Sequence, residues 1–318
     1  MMKLIDKFGR TIDYLRISVT DRCNLRCVYC IPEKGVENIP HSEILRYEEI
    51  LKIVDAASSL GIKKIRITGG EPLVRKGIVQ FLSELSQRKV DFSVTTNGIL
   101  LGDFADDLKG AGVRRINVSL DTLSEKKFSE ITRGGVLQKV IGGILKAKVL
   151  GFEPLKINAV VLPDTSEEDI KTFIEFAKTN GLVVRFIEHM PFVEKVKNRF
   201  FDIEKSFRKK YNLIPVDIEG FGPGRHYQVN GATIGFISAL SRPFCRMCNR
   251  LRLTSCGKLL PCLSSLDAVD VKKAVRNCVS SDEIKNLFFE AVKNKPEKHT
   301  FENPRDCMNI KSMAVIGG

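Results

Sequence analysis

The chain reads as an α/β protein built on a partial (β/α)6 barrel, and three observations predict this. Short apolar-patterned strands alternate with longer amphipathic segments over residues 1–190. Glycines stand where helices should stop, and several strands are polar on one face only. Strands are expected over 14–20, 63–68, 91–96, 114–120, 155–161 and 183–188. Helices are expected over 47–60, 78–88, 104–109, 125–131, 136–150 and 167–179. Gly61, Gly110 and Gly151 follow three of these helices directly, and Gly181 lies just beyond a fourth. Six such units suit an incomplete barrel better than a closed eight-fold one.

The polar faces say what the barrel encloses. Arg16 and Ser18, then Lys64, Arg66 and Thr68, then Ser93 and Thr95, Asn117 and Ser119, and Lys156 and Asn158 alternate with Leu15, Ile17, Ile65, Ile67, Ile116, Val118, Leu155 and Ile157. The apolar set packs on helices. The polar set must line a wet cavity, because buried cations need compensation. The strand ends add a rim: GGEP at 69–72, TTNG at 95–98, SLD at 119–121 and EHM at 188–190. In α/β barrels the ligand site lies at this end of the strands. Gly69 and Gly70 are expected to let the backbone approach a ligand.

After residue 190 the rhythm breaks, which divides the chain into 1–190 and 191–318. A helix is expected over 203–211, a hairpin about Asn230-Gly231, and a last helix over 282–293 before a tail ending in Gly317-Gly318.

A chain of 318 residues buries a sizeable core without disulfides, so its nine cysteines need another explanation. Most fall in two tight groups, with Cys278 and Cys307 isolated, which favours metal over disulfides. No apolar leader or membrane-length run is present, and a soluble, cytoplasmic protein in a reducing compartment is expected. The net charge of +13 favours anionic partners without choosing among them.

Cys23, Cys27 and Cys30 form C-x3-C-x2-C, three thiolates where a closed cluster site needs four. A [4Fe–4S] cube held this way keeps one iron open for chemistry; a zinc knuckle or three unrelated cysteines are the other readings. Cys245, Cys248, Cys256 and Cys262 suit either a four-cysteine zinc site or a second [4Fe–4S] cluster on three cysteines with Cys256 a bystander. Arg250 and Arg252 share a strand face beside this set, an arrangement suited to a polyanion.

CNLRCVYC resembles the signature of the radical S-adenosylmethionine (SAM) enzymes. Taken with GGEP, FCRMCNRLRL and the terminal double glycine, the whole chain resembles the GTP 3′,8-cyclases of molybdenum cofactor biosynthesis, the MoaA family. The resemblance implies a radical SAM partial barrel with a C-terminal cluster-binding extension, two [4Fe–4S] clusters and SAM. It assigns the first cluster to Cys23, Cys27 and Cys30, and SAM to Tyr29, Gly70, Ser119 and Met190. It assigns the second cluster to Cys245, Cys248 and Cys262, with its open iron toward guanine. Arg16, Arg66, Thr95, Lys156, Arg185, Arg250 and Arg252 match GTP-holding positions, Arg185 through the match to VRFIE, and Gly317 and Gly318 match a tail that supports catalysis. The implied reaction takes the hydrogen from C3′ of GTP with a 5′-deoxyadenosyl radical and joins C3′ to C8. An electron donor of unassigned identity is implied; no membrane or nucleic acid partner is expected, and a homodimer is compatible with the sequence. Cys256 departs from the pattern, standing where the family commonly has an acidic residue. A radical SAM enzyme acting on RNA or a peptide, and a zinc protein binding nucleic acid, are the alternative readings.

Overall fold

The computed structural model describes residues 3–190, 199–217, 222–265, 267–278, 280–301 and 313–316. Six parallel strands form in chain order: β1 (Tyr14–Ser18), β2 (Lys64–Thr68), β3 (Asp91–Thr96), β4 (Ile116–Ser119), β5 (Leu155–Val161) and β6 (Val183–Glu188). Each pairs with the next. Between them run α1 (Tyr47–Ser59), α2 (Ile78–Ser86), α3 (Leu101–Gly110), α4 (Glu125–Thr132), α5 (Leu137–Val149) and α6 (Glu167–Asn180).

Local chemistry sets the helix ends. Ser166 and Asp169 form a reciprocal capping box at the start of α6, and Gly181 ends it in the left-handed conformation, as the sequence suggests. Helix α3 begins three residues before the expected position. Leu100 precedes it with no side-chain cap, so the sequence carries no start signal there.

The chain beyond residue 190 returns to the same sheet. It adds α7 (Phe200–Lys210), β7 (Ile214–Val216), β8 (Arg225–Val229), β9 (Ala232–Ile237), β10 (Arg250–Leu253), β11 (Lys258–Leu260), β12 (Val269–Asp270), α8 (Val271–Arg276), α9 (Ser281–Lys293) and a short α10 (Met313–Ile316). The strand order is β12-β11-β10-β1-β2-β3-β4-β5-β6-β9-β8-β7. Strand β9 runs parallel to β6 and β10 parallel to β1, so the six expected strands are extended at each edge. Among the described residues no pairing joins β12 to β7, and the barrel stays open. A hairpin about Asn230-Gly231 and a strand bearing Arg250 and Arg252 are expected from the sequence, but not their parallel pairing with β6 and β1, because β9 and β10 each belong to an antiparallel pair, β8–β9 and β10–β11, rather than to a βα unit. Asn230 and Gly231, both at positive φ, make the tight turn of the first pair.

Leu15, Ile17, Ile65, Ile67, Ile116, Val118, Leu155 and Ile157 are buried in the main core, as strand parity requires. No helix among the described residues is long and apolar enough to cross a membrane. Helices α3 and α5 meet at Gly102 and Gly143, where a Cβ on Gly143 would stand 2.9 Å from the Gly102 amide nitrogen. Gly143→Val should therefore overpack this contact and destabilise the fold by about 1–3 kcal/mol. Thermal unfolding checks this; an unchanged Tm would show that the helices separate freely.

Candidate active site

Strand direction places the two cysteine sets at opposite mouths of the sheet. Cys23, Cys27 and Cys30 follow the C-terminal end of β1, whereas Cys248 precedes β10, which is parallel to β1. Strand β11 runs back antiparallel and delivers Cys262 to the same end as Cys248. One cavity of about 330 Å³ reaches Cys23, Cys27 and Cys30 as well as Cys245, Cys248 and Cys262. No described cysteine is in a disulfide.

The first mouth is braced by the motifs that end the strands. The amides of Gly70 and Glu71 donate to the Thr20 and Arg22 carbonyls at 2.7 and 2.8 Å. A Cβ would stand 2.6 Å from the Thr20 oxygen at Gly69 and 2.4 Å from the Arg22 oxygen at Gly70. The space these glycines release is thus filled by the cysteine loop itself, where the sequence suggested a ligand, while both still line the cavity. The buried Glu71 carboxylate accepts from Leu73 N–H, the Thr96 hydroxyl and Asn97 N–H, tying β2 to the end of β3. Burial pushes its pKa up to about 7 despite these bonds. Asn97 Nδ2 in turn reaches Asn24 Oδ1 at 2.8 Å and Cys23 Sγ at 3.7 Å. The Tyr29 hydroxyl donates to Asp121 at 2.7 Å, and Asp121 also accepts from Val160 N–H. Burial raises Asp121 to about 6. Gly70, Ser119 and Met190 line this cavity with Tyr29, so the four expected SAM positions share one chamber.

The interior is cationic. Arg252, Arg16 and Arg66 are register partners on β10, β1 and β2, and all line the cavity with Thr95, Arg185 and Arg250. Lys156 lies in an adjoining pocket shared with Arg66 and Arg185, whose lining also includes Tyr14, Lys64, Arg115, Asn117 and His226. No acidic residue lines that pocket among the described residues; Lys64 and Arg115 are answered at its edge by Asp91. Arg66 Nε, Arg185 Nε, Thr95 Oγ1, Asn158 Oδ1 and His226 Nε2 are buried without a hydrogen-bond partner among the described residues. Burial, then Arg185, Arg66, Arg115 and Lys64, lowers Lys156 to about 7. Burial and repulsion from Arg185 and Lys156 take His226 down to about 4. Such a set suits an anion with several acceptor oxygens.

At the second mouth, Arg250 stacks on Phe244 at 4.6 Å, and its face also presents Arg252. Burial raises the Cys248 thiol, but Arg250 and Lys295 outweigh this and leave it lowered to about 7. Cys256 sits in the β10–β11 turn, its Sγ 3.2 Å from the Thr254 hydroxyl, and does not line the cavity. Three thiols at each mouth, with backbone and cations around them, fit two iron–sulfur clusters with one open iron each. Met313 and Ala314 line the cavity, whereas Gly317 and Gly318 lie outside the described residues.

Sequence reasoning missed Tyr14, His226 and Lys295 as site residues, and placed Asp121 on the rim, at the end of SLD, without a role. Tyr14 shares the parity of Arg16 and could have been found from it. His226 and Lys295 reach the cavity only through long-range pairing.

Comparison with known proteins agrees with this arrangement. Residues 17–177 match the Radical SAM superfamily, and residues 182–301 match Molybdenum Cofactor Synthesis C. The GTP 3′,8-cyclase of Thermodesulfovibrio yellowstonii is 46% identical, covering 98% of this chain and 99% of its own. That of Petrotoga mobilis is 44% identical, covering 99% and 100%. The crystal structure of Streptococcus suis SuiB bound to S-adenosylmethionine has a TM-score of 0.63 at 17% identity, over 89% of this chain and 69% of that one, a likeness of fold. The open barrel and its three-cysteine mouth define a radical SAM protein. Within that superfamily the chain belongs to the GTP 3′,8-cyclases.

The placement of Cys256 separates the two metal readings of the second set. Cys256→Ser should keep the full iron and sulfide complement, whereas Cys262→Ser should lose about four irons, one cluster's worth. Iron and sulfide analysis of anaerobically reconstituted protein checks this, and loss from Cys256→Ser would show a four-thiolate site.

Proposed function

We infer that this chain converts GTP to 3′,8-cyclo-7,8-dihydro-GTP, the first step of molybdenum cofactor biosynthesis. The observation that carries this reading is a cation-lined interior joining two three-cysteine mouths. Cys23, Cys27 and Cys30 would hold the cluster that binds SAM, and Cys245, Cys248 and Cys262 the cluster that faces guanine. When bound, the first cluster and SAM supply the one-electron chemistry that removes the C3′ hydrogen.

The chain's own part is to hold and exclude. Tyr29, Gly70, Ser119 and Met190 surround the SAM position. Arg66, Lys156 and Arg185 take the triphosphate, whose oxygens answer the buried Nε atoms of Arg66 and Arg185. Thr95 and Asn158 offer a donor and an acceptor along the path between the mouths. Arg16, Arg250 and Arg252 hold the nucleotide toward the second mouth. Fixing the triphosphate and the base leaves the ribose little freedom, so C3′ stays within reach of C8 and of the first mouth. Leu25, Ile31, Ile187 and Ile237 line the same cavity with apolar surface that limits water near the reacting carbon.

Residues 1–190 are taken as the radical SAM barrel and 191–318 as the region that carries the second cluster and the glycine tail. Residues Gly317 and Gly318 are assigned a catalytic role, supported by Met313 and Ala314 at the cavity wall. An external one-electron donor acts on the enzyme. The free thiols support a cytoplasmic setting, and neither membrane nor nucleic acid is needed.

The direct test is 5′-deoxyadenosine formation under reducing, anaerobic conditions. The yield should depend on GTP and vanish on deleting Gly317 and Gly318, with iron content unchanged. A yield indifferent to GTP overturns the reading, and a fully active truncation overturns the role of the tail.

Lys156 makes GTP affinity pH-dependent, with a definite sign. In the free protein it loses its proton around pH 7. A bound triphosphate favours its charged form, so above pH 7 the complex holds more protons than the free protein. Affinity should therefore fall as pH rises from 7, by up to about tenfold per unit for one linked proton. Lys156→Met should weaken binding at pH 7 and flatten this slope in calorimetric titrations.

A further inference from the structure

Lys295 follows α9 and is 2% exposed, one of the largest fully buried side chains described. A lysine in such a place needs strong local reasons. Its backbone N–H closes the helix end by donating to the Val292 carbonyl at 3.1 Å, so the side chain is not needed as a cap. The amine instead reaches across to two other segments, donating to the Arg250 carbonyl at 2.7 Å and to the Pro261 carbonyl at 2.6 Å. Arg250 lies two residues after Cys248, and Pro261 directly precedes Cys262. Lys295 also lines the cavity into which both cysteines open.

The third cysteine of the set is held from the same stretch of chain. Arg10 donates to the Cys245 carbonyl at 2.7 Å, to the Pro296 carbonyl at 2.6 Å and to the Glu297 carbonyl at 2.9 Å. Its own charge is answered by Asp6 at 2.5 Å. Residues 295–297 thus connect all three ligand-bearing segments through a lysine amine and an arginine fork.

We propose that Lys295 is the positioning residue of the second cluster site, setting the Cys248 and Cys262 segments at a fixed separation and holding a positive charge against the cluster. The proposal rests on the two-cluster reading above. An ammonium offers three donors, and two are engaged here with the ligand segments themselves. A fixed positive charge beside a cluster favours its more negative, reduced state, so it raises the reduction potential.

The test uses the full-length protein, reconstituted anaerobically, with Lys295→Met and Lys295→Gln. The methionine removes charge and donors; the glutamine amide keeps a donor to one carbonyl without charge. Lys295→Met should bind second-site iron about 10- to 100-fold more weakly, read as release to a chelator, while the first cluster stays in place. Lys295→Gln should retain more iron, with the second cluster's midpoint potential lowered in an EPR-monitored redox titration. Wild-type iron retention together with an unshifted potential in both variants overturns the proposal. Loss of both clusters together with a fall in Tm assigns Lys295 to the fold at large and overturns it equally. Wild-type protein with a single cluster would instead sink the two-cluster reading itself, a separate result.

Discussion

Arg252, Arg16 and Arg66 occupy equivalent positions on three adjacent parallel strands, which sets three guanidinium groups side by side at a spacing of about 4.8 Å between backbones. Parallel pairing fixes this register, and the outward faces of the same strands fix its parity, because Leu15, Ile17, Ile65 and Ile67 must reach the core. The cations therefore have no choice of side. Their burial is costly unless opposite charge lies near. Asp91 answers Lys64 and Arg115 at the edge, but the deeper pocket around Lys156 and Arg185 has no carboxylate in its described lining. Burial and mutual repulsion lower the pKa of Arg16, Arg185 and Arg252, although a guanidinium keeps its proton at neutral pH. Such an interior suits a polyanion, and a nucleoside triphosphate would supply the charge and the acceptor oxygens together.

The topology turns that interior into a passage with two ends. Six βα units place the first cysteine loop and its rim at the C-terminal ends of the strands. Strands β9 and β10 then extend the parallel sheet on both sides, and the chain before β10 and after β11 lands at the opposite end. A nucleotide held by its triphosphate in the cationic pocket and by its base at the second mouth would be fixed at both extremities, with its ribose turned toward the first mouth, which is what joining C3′ to C8 within one molecule requires.

Much of this was legible in the residues. The period-two alternation of Arg16, Lys64, Arg66, Asn117, Lys156 and Asn158 against branched apolar side chains gave the strands, their inner face and its wetness at once. Cysteine spacing picked out the two groups of thiols, though not their placement at opposite ends, which rests on the directions of β10 and β11. The functions of Gly69 and Gly70 were less legible, since a glycine pair announces a close approach without saying to what, and here the neighbour is the backbone of Thr20 and Arg22. The parallel pairing of β9 with β6 and of β10 with β1 was hidden, because a hairpin pattern does not reveal that one of its strands pairs in parallel with a distant neighbour. Tyr14 was readable in principle. His226 was not, because its place beside Arg185 depends on β8 pairing with β9 and on Gly235, where a Cβ would stand 2.7 Å from the His226 ring.

The two mouths differ in how they are built, and that difference follows from their positions in the chain. The first is braced between neighbouring βα units, by Glu71 to Thr96 and Asn97 and by Tyr29 to Asp121, contacts the barrel makes as its strands pair. The second draws on the N-terminal residues Asp6 and Arg10, the β10–β11 segments and the stretch after α9, so its contacts span up to 287 residues of sequence. Contacts of such separation each close a long loop, so they hold only when the elements between them are in place. The second mouth thereby depends on segments from both ends of the chain, while the first rests on the barrel's own βα units.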